Sequence, residues 1–242
     1  MSGHSKWSTI KRKKGIADAK KSNVFAKISK IVSIAARDGG GDPEANYKLR
    51  LAIDKARAIN MPLDNISRAI KKGTGELDDG SQIEEVVYEA YGPGGVAIII
   101  ETITDNKNRT VSEIKKILSD ADGKLGGGGS VSWLFERKGT IRISLYSATD
   151  KEKIELLAIE NDALDIIEED SNLIIYSIPE KLSNLKEILE KEGIKIDSSE
   201  IELITKNPVK IDNKNILEKV EKLMEELGEH DDVNEIYSNI ED

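Results

Sequence analysis

Apolar residues recur at helical spacing through the first third of the chain and at strand spacing in several later stretches. From Asp18, residues Val24, Ile28, Ile31 and Ala35 fall at i, i+4, i+7 and i+11, with Phe25 and Val32 widening the stripe. Gly39-Gly40-Gly41 ends this helix, because glycine takes the left-handed backbone a C-terminus needs. Asp42-Pro43-Glu44 predicts the start of a second helix, a capping carboxylate followed by proline, with Leu49, Ile53 and Ala56 inside. A third helix follows Met61-Pro62, uses Leu63, Ile66 and Ile70, and stops at Gly73. Three short helices read as a small bundle, and Gly73 to Ser81 reads as a linker.

The pattern then switches. Val86 to Tyr91 and Gly95 to Thr104 read as strands around the hairpin signal Gly92-Pro93-Gly94-Gly95. Asp105 to Arg109 is a polar loop, and Thr110-Val111-Ser112-Glu113 matches a capping box opening a helix with Ile114, Ile117 and Leu118. Gly126 to Gly129 leads into a strand predicted from Ser130 through Trp133 to Phe135. Gly139 to Thr205 carries a complete βαββαβ series. Its strands are Thr140 to Leu145, Leu164 to Glu168, Leu173 to Ile178 and Ile194 to Ile204. Its helices open at Thr149-Asp150-Lys151-Glu152, again a capping-box sequence, and at Pro179.

The tail adds one helix, with Ile216, Val220, Leu223 and Leu227 on its face, and a strand from Val233 to Tyr237. That helix and strand lack partners of their own, whereas Val86 to Phe135 is one helix and one strand short of a compact layer. The predicted fold is therefore α+β. An N-terminal three-helix domain spans residues 1–76, and a discontinuous α+β domain spans 77–137 plus 206–242. A ferredoxin-like domain, residues 138–205, is inserted into it.

Charge changes the picture. Residues 1–73 hold 17 Lys+Arg against 6 Asp+Glu, a net of +11. The chain totals are 36 and 45, so the remainder holds 19 basic and 39 acidic groups, a net of −20. One basic end on an acidic body points to nucleic acid at that end. The chain has no cysteine, which excludes disulfides, thiolate zinc sites and a cysteine nucleophile. The longest apolar run, Val96 to Ile100, is too short to span a bilayer, and the opening residues lack a signal-peptide core. A cytoplasmic address is expected, without membrane association, and a monomer is favoured.

The candidate nucleic-acid contacts begin in the opening arm with His4, Ser5, Lys6, Trp7, Lys11, Arg12, Lys13 and Lys14. Cations release counterions from phosphates, and Trp7 among them can stack on a base. Lys20, Lys27, Lys30 and Arg37 cluster on one side of the first helix, centred well away from its apolar stripe; Lys21 lies beside them. On the third helix Arg68, Lys71 and Lys72, with Asn65, could face a groove, although no clear helix-turn-helix is present.

Possible partner loops are Gly92, Pro93, Gly94 and Gly95; Asn106, Asn108 and Arg109; and Gly128 with Gly129. The late glycine run follows a helix and enters a strand, the reverse of a nucleotide P-loop, so it reads first as a flexible connection. Glu229-His230-Asp231-Asp232 reads as a turn with solvated charges, since His4 is the only other histidine. Asp105 and Asp122 read as loop or cap residues. No catalytic constellation, metal site, cofactor site or small-molecule substrate is expected.

Several words of the sequence resemble the YebC/PmpR family. They are Gly3-His4-Ser5-Lys6-Trp7, Gly39-Gly40-Gly41-Asp42-Pro43, Asn46 to Ala52 with Lys55-Ala56, Asn60-Met61-Pro62, and Tyr88-Glu89 with Tyr91-Gly92-Pro93-Gly94-Gly95. Thr104-Asp105-Asn106-Lys107-Asn108-Arg109-Thr110, Gly129-Ser130-Val131 before Trp133-Leu134-Phe135, and Asp231-Asp232-Val233 with Ile236-Tyr237-Ser238-Asn239 continue the match. The resemblance implies three domains, the last inserted in the second, and a non-enzymatic, DNA-binding transcriptional regulator in the cytoplasm. It also implies translational roles, because mitochondrial relatives activate translation and some bacterial members are linked to stalled ribosomes. The family's nucleic-acid role would fall on His4, Lys6, Trp7, Lys11, Arg12, Lys13 and Lys14. Ala90 stands where glycine is common, and Gly127-Gly128 replace a more polar pair. Ribosomal RNA therefore rivals duplex DNA as the target, and a protein adaptor working through the inserted domain is the reading from another class.

Overall fold

The computed structural model of the chain describes residues 18–77, 83–145, 150–169 and 171–241. Helices α1 (Asp18–Gly39), α2 (Tyr47–Ala58) and α3 (Leu63–Gly73) come first. Strands β1 (Glu84–Tyr91) and β2 (Ala97–Thr104), helix α4 (Lys107–Asp120) and the short strand β3 (Lys124–Leu125) follow. Then come β4 (Phe135–Ser144), α5 (Lys151–Glu160), β5 (Asp165–Glu169), β6 (Asn172–Ser177), α6 (Leu182–Lys191) and β7 (Ser198–Thr205). Helix α7 (Lys214–Glu229) and strand β8 (Val233–Ser238) close the chain. Phe135–Lys206 form one compact unit; the described residues up to Leu134, with those from Asn207 onward, form the other.

In the larger unit the apolar stripes of the first three helices meet in one core. Val32 and Ala36 from α1, Leu49 and Ala56 from α2, and Ile66 and Ala69 from α3 pack together with Met61. Small residues let the helices come close. A Cβ on Gly73 would lie 2.1 Å from the Ser33 carbonyl oxygen, so glycine is required there by the close contact. Ser33 Oγ donates to the Ala69 carbonyl at 2.8 Å across the same junction.

The second helix does not start at Asp42. It is capped by Asn46, whose side chain accepts from the Leu49 N–H at 3.1 Å. Asn46 Nδ2 also donates to the carbonyls of Ala35 at 2.7 Å and Gly40 at 2.8 Å, fastening the end of α1 to the start of α2. An amide both accepts and donates; the Asp42 carboxylate could only accept.

The first sheet has the order β3-β1-β2-β8, every pair antiparallel. The tail strand β8 thus lies against β2. Central β2 is buried nearly throughout, which is why it reads as the apolar run Ala97-Ile98-Ile99-Ile100 rather than as an alternation. Ile98 and Ile100 pack with Ile114 and Leu118 of α4 and with Val220, Leu223 and Leu227 of α7, all of them fully buried. Burying each such side chain stabilises the fold by about 1.5–3 kcal/mol. The β2–β8 register shifts between Glu101 and Thr102, a bulge at the end of β8 nearest Asp232.

The smaller unit is βαββαβ in chain order, its sheet running β5-β6-β4-β7, again antiparallel throughout. Ile141, Ile143 and Ile175 pack with Ile154 and Ala158 of α5 and with Leu182, Leu185 and Leu189 of α6. Arg142 and Glu202, both largely buried, face each other through two 2.7 Å contacts. The pairing meets the main condition under which a buried charge is tolerated.

Three predicted local features are corrected. Helix α4 is capped by Asn106, which accepts from the Arg109 N–H at 3.1 Å, because the Thr110 hydroxyl is spent on other partners described below. Helix α5 is capped by Asp150, accepting from Lys153 N–H at 3.0 Å; Thr149 lies outside the described residues. The strand expected over Ser130 to Phe135 is instead a short turn of 3-10 helix at Ser132–Leu134, and pairing begins only at Phe135 opposite Thr205.

Candidate nucleic-acid interface and the Asp232 centre

The structure treats the candidate cations in three ways. His4, Ser5, Lys6, Trp7, Lys11, Arg12, Lys13 and Lys14 lie outside the described residues, and so do the side chains of Lys20 and Lys21 at the start of α1. Arg68 and Lys71 are exposed on α3, with Lys72 half-buried beside them. Lys27 and Lys30 are half-buried, and they and the exposed Arg37 are already engaged by neighbouring groups. Lys27 Nζ donates to the Gly228 carbonyl at 2.8 Å, at the C-terminal end of α7. Arg37 donates to the Ile83 carbonyl and pairs with Asp38 at 2.9 Å. Lys30 reaches Asp232.

Asp232 is the centre of the most connected polar cluster described in this unit. It sits between α7 and β8, where the bulged strand end turns its carboxylate inward, and it is 4% exposed. Lys30 Nζ lies 2.9 Å from Oδ1 and Arg109 Nη2 lies 2.8 Å from Oδ2. The hydroxyls of Thr110 and Thr104 lie 2.7 and 3.2 Å from Oδ2. Burial would raise the Asp232 pKa, but the hydrogen bonds from Arg109, Lys30 and Thr110, with the Lys30 charge, hold it far below the usual carboxylate range.

The expected solvated turn at Glu229-His230-Asp231-Asp232 is therefore corrected in part. Glu229 and Asp231 are exposed, but Asp232 is buried and His230 is held on both nitrogens. The Asp232 N–H donates to His230 Nδ1 at 3.1 Å, which leaves the neutral ring's proton on Nε2, 2.9 Å from Glu113 Oε2. Candidate ligand atoms of Glu113, His230 and Asp232 lie within 4.8 Å of one another. A metal ion there would have to displace Lys30 and Arg109 from the carboxylate, so the donor set does not fit one. The cavity beside the cluster, about 790 Å³, is lined by both signs of charge, including Arg109, Lys116, Glu226 and Glu229.

The loops have structural occupations as well. Asn106 caps α4, the Asn108 carbonyl accepts from Ser112 Oγ at 2.8 Å, and Arg109 bridges Asp105 and Asp232. Gly92 abuts Ile98 and Leu223, and Gly94, with φ +71°, packs on Ile216 of α7, so the turn from Gly92 through Pro93 to Gly95 lies on that helix.

The late glycine loop is held by a residue that the sequence analysis left without a role. Glu89 of β1 accepts from the N–H groups of Gly129 at 2.6 Å, Val131 at 2.6 Å and Ser132 at 2.8 Å. Burial opposes its charge, yet these backbone donors lower its pKa. The loop is thus a backbone cradle filled by the protein's own carboxylate. Open space surrounds Gly127 and Gly128, and Trp133 stands 63% exposed beside them. Glu89 carried one signal, its place in the word Tyr88-Glu89 ahead of Tyr91-Gly92-Pro93.

Helical bundle and composite sheet layer, with a polar centre made of charge pairs and backbone cradles, define an α+β protein. The comparisons place it further. A family model described as the TACO1/YebC protein N-terminal domain matches residues 5–76, and one described as the TACO1/YebC second and third domain matches residues 83–240. The chain belongs to the TACO1/YebC family. A relative from Halothermothrix orenii, named "Probable transcriptional regulatory protein", is 49% identical over 242 residues, covering all of this chain and 95% of the relative. One of the same name from Syntrophus aciditrophicus is 49% identical over 241 residues, covering 100% and 96%. The crystal structure of a conserved hypothetical protein from Aquifex aeolicus superimposes with a TM-score of 0.88 at 43% identity, covering 98% of this chain and 97% of that one. Among the described residues no helix is long and apolar enough to cross a membrane.

Proposed function

We propose that the chain is a nucleic-acid-binding regulator that works from the cytoplasm without catalysis and engages its target through the basic N-terminal end. The observation that carries this reading is the charge partition, +11 over residues 1–73 against −20 over the rest. A polyanion is repelled by the body and admitted at one end only. The name shared by the two relatives favours transcription, hence duplex DNA. Structured RNA is the second reading, favoured by Trp7 set among the cations of the arm, since stacking and phosphate contacts suit it. In this reading residues 1–76 bind and residues 77–137 with 206–242 form the body, into which a ferredoxin-like domain, residues 138–205, is inserted. Arg68 and Lys71 extend the contact, and the turn at Gly92 to Gly95 and the loop at Gly128-Gly129 remain partner loops only through exposed neighbours such as Trp133.

The test is retention on duplex DNA and co-sedimentation with ribosomes, at low and physiological salt, for the wild type and for Lys11, Arg12, Lys13 and Lys14 all changed to Glu. The wild type is expected to hold one polymer in a salt-dependent way, and the reversal variant to lose it with unchanged melting. Equal binding by both proteins would sink the proposal. Loss of cooperative melting in the variant would show the arm to be structural.

A further inference from the structure

The side of α1 that the sequence offers to nucleic acid is the side that the α/β layer already holds. Lys27 meets the Gly228 carbonyl at 2.8 Å, where the C-terminal end of α7 favours a cation. Lys30 meets the Asp232 carboxylate at 2.9 Å and lies 3.4 and 3.3 Å from the carbonyls of Ile103 and Asp231. Arg37 meets the Ile83 carbonyl, and from α2 Lys55 lies 3.6 Å from Glu235. Each of these acceptors takes up a cation that a phosphate oxygen would need. One set of cations cannot serve both.

We propose that this docked arrangement is an autoinhibitory contact. The α/β layer occupies the polyanion face of α1 with its own acceptors, and a nucleic-acid backbone gains that face only when the helical bundle leaves Asp232. The inference rests on the nucleic-acid reading above and adds how that binding is regulated.

Two features make the contact releasable. Asp232 keeps Arg109, Thr110 and Thr104, all from the α/β layer, so the departure of Lys30 does not leave a buried carboxylate without donors. The bundle also has its own core, and its cluster shares no residue with the cluster under the first sheet. Ile34, Ile99 and Ile103 are buried outside both clusters, so some apolar surface is uncovered on release. The observed affinity for nucleic acid is then the intrinsic affinity reduced by the fraction of molecules that are open.

The chain's lack of cysteine allows clean labelling. Nitroxides on Asp64→Cys of α3 and Lys222→Cys of α7, both exposed, report the separation of bundle and layer in the full chain by double electron–electron resonance. The free protein is expected to show one short distance, and the same labels with Lys30→Met should add a longer population. Saturating duplex DNA, or a structured RNA in a separate arm, should convert the wild type to the longer one, and the polymer that does so identifies the source of the phosphates. Asp232→Asn, if its melting is intact, is expected to bind that polymer about tenfold more tightly than the wild type. A bound complex with the short distance unchanged overturns the inhibition alone, as does a Lys30→Met chain that stays closed. An opened variant that still binds neither polymer overturns the functional reading and the inhibition with it.

Discussion

Glu89 of β1 and Asp232, just ahead of β8, are two carboxylates of the same unit, each drawing together segments far apart in sequence, but they do so with different donors. Glu89 is held by three backbone N–H groups of one loop, Gly129, Val131 and Ser132. Asp232 is held by two side-chain cations and two hydroxyls contributed by α1, β2 and α4. A backbone cradle has no long side chain to withdraw and no alternative rotamer, so it fixes one loop in one shape. A cation on a four-carbon stem can leave, exchange partners and be screened. Asp232 therefore suits a joint that opens, and Glu89 a staple that does not.

The largest effect expected from this contrast is on stability. Asp232→Ala removes the buried acceptor shared by Thr104, Thr110, Arg109 and Lys30, leaving Arg109 to Asp105 and Lys30 to two backbone carbonyls, and should cost about 3 kcal/mol by denaturant unfolding. Glu89→Gln keeps the shape but turns an amide donor toward backbone donors, and should cost about 2 kcal/mol, with faster hydrogen exchange confined to the loop at Gly129 to Ser132. If Glu89→Gln proved the more damaging and its exchange spread through β1, the division into joint and staple would be wrong.

Next in size is the response to acid and salt. Both carboxylates have lowered pKa values in the fold, Asp232 the more strongly. A group depressed in this way contributes stability that is fully present above its unfolded value, about 4, and lost as the pH falls through its folded value. The Asp232 contribution should thus survive to lower pH than that of Glu89, read as the pH at which each variant's deficit against the wild type disappears. Raising salt from about 0.1 to about 1 M shrinks the screening length roughly threefold, so coupling between Lys30 and Asp232 in a double-mutant cycle should fall by about half. The Glu89 deficit should hardly move. Equal salt sensitivity would mean that Asp232 is as closed to solvent as a staple.

What the sequence disclosed follows the same line. Helix and strand type were legible because apolar spacing survives wherever one face meets a core, as in Ile114 and Leu118 or Val220, Leu223 and Leu227. Helix starts were less so. Asp42, Thr110 and Thr149 carry the residue types of caps, but Asn46, Asn106 and Asp150 do the capping, because the choice depends on which donors tertiary packing brings near. Polar partnerships were least legible of all. Lys30 and Asp232 are separated by 202 positions, and no local pattern marks an exposed-looking lysine as half of such a pair. The cations of α1 could be placed on one side from spacing alone. That this side faces Gly228 and Asp232 is a fact of topology, set by β8 pairing with β2.

The smallest effect separates the staple from its most conspicuous neighbour. Trp133 is 63% exposed and its Nε1 donates to the Ser130 carbonyl at 3.2 Å, so on contact alone it competes for the role of anchor of the glycine loop. The geometry assigns that task to Glu89, because three charge-assisted donors outweigh one neutral bond made in reach of water. Trp133→Ala should accordingly change unfolding free energy by less than about 0.5 kcal/mol, as an exposed side chain does when it is removed. Protection of the Gly129 and Val131 amides should persist in that variant and vanish in Glu89→Gln. Were the order reversed, the loop would owe its shape to the indole, and the exposed ring would be structural rather than a surface left open to a partner.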